Sequence, residues 1–101
     1  MKVIEHKKAL KYQSGSIVSK EIIRNSKGTV TLFAFDKGQG LSEHTAPFDA
    51  LVHVMDGTAD MTIAGKKFKV SAGQMILMPA NKPHSLKASK RFKMMLVMIK
   101  G

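Results

Sequence analysis

The chain has 101 residues, with 17 Lys and Arg against 7 Asp and Glu, a formal charge of +10 and no cysteine. That length holds one compact domain and leaves no room for a separate catalytic one, so whatever the protein does happens inside or on a single unit. The missing cysteines exclude disulfides, thiolate zinc centres and cysteine nucleophiles, which leaves nitrogen and oxygen ligands for any metal and suits a reducing cytoplasm.

The opening stretch, MKVIEHKKALKYQ, has no uninterrupted apolar core after its positive charge. It reads as unexported, and no run approaches the roughly 18 to 20 apolar residues of a membrane span. A brief helical turn over residues 4–11 is the one helix worth considering. SIVSKEIIR supplies a β-rich segment, and residues 1–28 are expected to form N-terminal strands that contact a partner chain. In TVTLFAF, Val30, Leu32 and Ala34 share one face while Thr29, Thr31, Phe33 and Phe35 share the other. In DMTIAGKKFKV, a short turn at Gly65 joins two strands, and Lys67 and Lys69 alternate with Phe68 and Val70, as in a hairpin with one wet face. The longest apolar run, MMLVMI from Met94 to Ile99, suits a buried strand.

Turn signals recur about every eight to twelve residues between segments rich in Val, Ile, Phe, Thr and Met, a pattern that predicts an all-β sandwich or barrel. The positive charge raises nucleic acid as a partner. Its distribution argues against a specific one: the lysines are scattered over turns and both ends of the chain, with no interleaved aromatic stacking motif and no recognition-helix pattern.

Gly38, His44, Ala46, Ala50 and Gly57 stand at spacings that continue, after a short gap, as Gly73, Pro79, Asn81 and His84. Over residues 30–99 this pattern resembles the two motifs of the cupin superfamily, with the glycines, the proline and one histidine of each motif in register. The resemblance implies a double-stranded β-helix, or jelly-roll barrel, and a single domain spanning residues 1–101. Local chemistry agrees. Glycine accepts positive φ at Gly57 and Gly73, Pro79 stiffens the loop that delivers His84, and Asn81, where the family has glycine, is the residue next most tolerant of a left-handed backbone.

Metal-binding cupins usually supply two histidines and a carboxylate from the first motif and one histidine from the second. Here Ala46 replaces a histidine, Ala50 replaces the carboxylate, and Ala88 stands at the family's closing asparagine. His44 and His84 remain as candidate ligands for Zn, Ni, Mn or Fe. Strand parity sends Glu43 and Thr45 away from a barrel interior that His44 and Ala46 face, so Glu43 would help only at a bulge; Asp49, beyond a loop, stays a possible third ligand. The same parity turns Val52 and Val54 inward and His53 outward. The candidate ligand-binding set is therefore His44, Ala46, Ala50, Val52, Met78 and His84. Met55, Met61, Met75, Met78, Met94, Met95 and Met98 fall in predicted strands, where thioethers fill irregular space.

Three functions compete. The first is a barrel that binds a small molecule or anion through His44 and His84 without turnover. The second is a metalloenzyme, dioxygenase-like or isomerase-like as the family resemblance implies. A histidine acid–base pair working with Tyr12, the chain's one tyrosine, is the third, and needs a strand exchanged between subunits. The resemblance also implies a homodimer built on sheet faces and N-terminal strands.

Overall fold

The computed structural model describes residues 2–100. They form nine strands: β1 (Ile17–Asn25), β2 (Gly28–Phe35), β3 (Gly40–His44), β4 (Asp49–Asp56), β5 (Thr58–Ile63), β6 (Lys66–Ser71), β7 (Met75–Met78), β8 (His84–Lys87) and β9 (Phe92–Ile99). Two antiparallel sheets pack face to face, one in the order β1-β2-β9-β4-β7 and the other β3-β8-β5-β6, the jelly-roll sandwich that the motifs imply.

Alternation decides which side chains meet between the sheets. From the larger sheet Phe33, Phe35, Ala50, Val52, Val54, Phe92 and Met94 point inward, and from the smaller one Ala59, Met61, Ile63, Val70 and Leu86 meet them. The expected β5–β6 hairpin forms around Ala64 and Gly65, at φ of 50° and 79°. Both central residues lie in the left-handed region, which matches the right-handed twist of the flanking strands. Across the hairpin Asp60 faces Lys69 and Thr62 faces Lys67 on the wet side, while on the other face buried Met61 lies opposite Phe68, which stays exposed on the edge strand.

TVTLFAF buries both of its faces. Leu32 and Ala34 lie on the outer side of the larger sheet, yet join Leu10 and Met55 in a second cluster flanked by Tyr12, Val18, Ile22 and Met95. Their cover is the stretch before β1, which crosses the sheet as an irregular strap. Of the described residues before β2, Ile17–Asn25 alone is strand, and the turn expected over residues 4–11 does not extend into a helix: a single bond from the Lys8 N–H to the Glu5 carbonyl marks it. Leu10 anchors the strap, burial of one such side chain stabilising by about 1.5–3 kcal/mol. Lys93 donates from Nζ to the Lys7 carbonyl at 2.6 Å, and the Tyr12 hydroxyl donates to Asp56. Past the strap the same face is bare, and Ile23, Val30, Val97, Leu51 and Leu77 form one row across all five strands.

Candidate functional site

β3 and β8 bring the two motif histidines together. Between Leu41 and His44 the β3–β8 register shifts by one residue, a bulge after which His44 lies directly opposite His84. Their Nε2 atoms stand 3.1 Å apart, with the rings edge to face at 71°. His84 is buried and His44 exposed, so the pair spans the wall between interior and solvent. The loop that delivers His84 holds Asn81 at φ 65°, the left-handed conformation expected where the family has glycine. From there the Asn81 N–H donates to the Ala46 carbonyl at 2.8 Å, tying the loop before β8 to the loop after β3.

The far nitrogens assign the tautomers. His44 Nδ1 is 2.7 Å from the Ser42 carbonyl and His84 Nδ1 is 3.1 Å from the Lys82 carbonyl. A carbonyl only accepts, so both Nδ1 atoms carry hydrogen and both Nε2 atoms turn lone pairs toward the 3.1 Å gap. Two lone pairs at that separation repel unless something electropositive lies between them. A single proton shared between them would relieve that repulsion and would make the pair cationic.

Behind the histidines lies an enclosed cavity of about 140 Å³. Met78, Met94, Leu96 and Met98 form its floor on the larger sheet, Leu41 and Leu86 close it from the smaller one, and Ala46 and Ala50 line the side next to His44. The alanines create the space: a histidine and a glutamate there would fill it. Of the expected ligand-binding set, His44, Ala46, Ala50, Met78 and His84 converge on this cavity. Val52 faces inward as expected but is fully buried in the core and does not line the space.

The two carboxylates considered as further metal ligands lie elsewhere. Glu43 lines an open groove on the outer side of the smaller sheet, even though the bulge it needed is present. Asp49 accepts the Ala80 N–H at 2.8 Å, which caps the loop after β7 and commits the carboxylate to structure. Among the described residues no group of three or more His, Asp and Glu could hold one ion. A catalytic metal keeps three protein ligands and an open position; His44 and His84 supply two, so the residues present do not fit such a centre.

The larger depression, about 900 Å³, is the groove that Glu43 shares with Asp60, Lys67, Lys69 and Lys87. Lys69 Nζ donates to Asp60 at 2.8 Å across it. The ammonium of Lys69 and the hydroxyl of Ser89 hold the Asp60 carboxyl below the usual carboxylate range. This is the hairpin's wet face, open to water, and the enclosed cavity is the better candidate for ligand binding.

Tyr12 lies away from both, on the outer face of the larger sheet. Desolvation first, then the hydrogen bond to Asp56 and that residue's charge, raise its phenol well above the ordinary range, against a smaller pull from Arg91. With its hydroxyl committed there, Tyr12 is no partner for the histidine pair within one chain.

The cupin domain family model matches residues 31–100. A Streptococcus pyogenes protein of unknown function superposes with a TM-score of 0.94 at 34% identity, covering 99% of this chain and 88% of that one. A cupin 2 conserved barrel domain protein from Leptotrichia buccalis gives 0.90 at 40% identity, over 93% of this chain and 46% of that protein. The salicylate 1,2-dioxygenase of Pseudoaminobacter salicylatoxidans, solved with gentisate, shares the fold at 14% identity and a TM-score of 0.76, over 82% of this chain and 25% of the enzyme. None of the curated proteins compared matches this chain.

Proposed function

The chain belongs to the cupin family, and we propose that it uses the barrel as a binding module for a small, largely apolar molecule bearing one anionic or hydrogen-bonding group. The observation that carries this reading is the enclosed cavity of about 140 Å³ whose polar side chains are only His44, His84 and Ser85. An apolar cavity of about 150 Å³ elsewhere takes a benzene ring, so one ring or a short branched chain is the right size. The ligand's apolar body lies on Met78, Met94 and Met98, and its polar end meets the histidines. There a proton held between the two Nε2 atoms supplies the charge that a carboxylate seeks, in a wall of low polarity that strengthens the bond. Flexible thioethers adapt the floor to ligands of different outline.

The metalloenzyme alternative asks more of the site. With Ala46 and Ala50 at the ligand positions, His44 and His84 would grip a divalent ion weakly unless a substrate completed the shell.

The test is a titration with benzoate-class acids and with their uncharged ring analogues, followed through the methyl resonances of the cavity methionines. Binding of the acid is expected to shift the Met78, Met94 and Met98 signals, to exceed that of the uncharged ring by about tenfold or more, and to disappear in Ala50→Phe, which fills the space. Unmoved interior methyls across a set of single-ring and short-chain acids would sink the proposal.

A further inference from the structure

His53 points away from the cavity, as parity requires, and its surroundings are unusual for a surface histidine. On the outer face of the larger sheet it lies directly opposite Met75 of β7 on one side and Met95 of β9 on the other. Directly opposite residues share a face, with Cβ atoms about 4.5–5.5 Å apart. Above them the strap brings His6, whose ring centroid is 6.4 Å from that of His53. Met75 is 66% exposed, so packing does not account for a methionine there.

We propose that His53, Met75 and Met95, with His6, form a binding site for Cu(I). Two imidazoles and two thioethers, with neither thiolate nor carboxylate, make a soft, uncharged donor set, and soft sulfur ligands select Cu(I) among the first-row ions. Zinc is held by thiolates, imidazoles and carboxylates, and here it would find imidazole alone. Nitrogen and oxygen are the only donors the absence of cysteine suggests; the methionines flanking His53 add sulfur. Three rotatable bonds let each thioether swing over the histidine between them. The neighbouring row of Val97, Leu51 and Leu77 gives the site an apolar border on one side. On a chain of charge +10 a monovalent ion also meets half the repulsion of a divalent one.

The site is independent of the histidine pair in the barrel, and its test is made on the full chain carrying His44→Ala and His84→Ala, so that no ion held there is counted. Anaerobic competition with a chromophoric Cu(I) chelator is expected to give one bound equivalent. Met75→Leu with Met95→Leu, a volume-conserving change, should weaken binding by more than the roughly tenfold that loss of a supporting residue costs at a metal centre. His53→Gln should weaken it further. Silver(I), a redox-inert probe, should in chloride-free buffer shift the methyl signals of Met75 and Met95 and leave those of Met61 and Met94 in place, a readout that needs no substitution at the site. Unchanged affinity in the double leucine variant, or silver shifts spread over the core methionines instead, would overturn the proposal.

Discussion

The two ends of the barrel are built from the same strands and do opposite things with them. At the closed end Phe35 and Phe92 stack with centroids 4.6 Å apart, and Val52, Val54, Ala59 and Ala88 around them are fully buried. At the open end the same strands carry Ala50, Met78, Met94 and Met98 around empty volume and finish at two imidazoles. Small side chains fill space at one end, where aromatic rings face them, and leave it at the other, where they stand in for the family's metal ligands. An alanine therefore means packing or vacancy according to what it faces.

The largest expected effect separates the ends by stability. Phe92→Ala should cost about 3–5 kcal/mol in urea unfolding, because the closed end has no slack. Met98→Ala, at a half-buried position on an existing cavity, should cost less than about 2 kcal/mol. Equal losses would mean that both ends are packed alike, and the contrast would be broken.

Gly57 sharpens the point at the closed end. It sits at φ 74°, and a Cβ there would fall 2.4 Å from the Arg91 carbonyl and 3.1 Å from Phe92. Gly57→Ala is expected to lose about 2–3 kcal/mol, from strain and the displaced backbone together. Gly73, at φ 87° with open space around it, should lose only the conformational part, and a thermal melt of the two variants separates these contributions.

The strap carries an alkaline signature that neither end shares. Tyr12 holds its proton in the folded chain beyond the pH, about 10, at which an unfolded tyrosine gives it up. The folded state then binds more protons than the unfolded one, so its stability is whole below about pH 10 and declines as pH rises past that value. Melting temperatures measured from pH 8 upward should show the decline, and Tyr12→Phe should reduce it.

The smallest effect belongs to the hairpin. Ala64, at φ 50°, occupies a position that favours asparagine, so Ala64→Asn should gain about 0.5–1 kcal/mol in urea unfolding and leave both ends of the barrel as they are.

Much of this was legible in the residues. Alternation fixed the faces of β2, β4 and the β5–β6 hairpin; motif spacing brought His44 to His84; and the left-handed tolerance of asparagine anticipated Asn81. Three things were hidden, each for a physical reason. Parity assigns a side chain to a face but not to a depth along the barrel, so Val52 joined the cavity set although it lies in the core. The strap has no periodicity: its place is set by contacts far along the chain, Leu10 on Leu32 and Tyr12 on Asp56, and those also account for the meeting of His6 with His53. The commitment of Asp49 to the Ala80 N–H depends on a loop conformation that spacing alone does not give.

One measurement bears most directly on the claim that the open end is a binding cavity and not a catalytic metal centre. Wild-type protein and the variant Ala46→His with Ala50→Glu would each be incubated with Zn, Mn, Ni and Fe salts, dialysed, and assayed for metal by plasma mass spectrometry, with His44→Ala beside them. The expected result is about one equivalent in the restored variant, which regains a full ligand set, and only trace metal in the wild type. A full equivalent in the wild type that His44→Ala abolishes would contradict the claim.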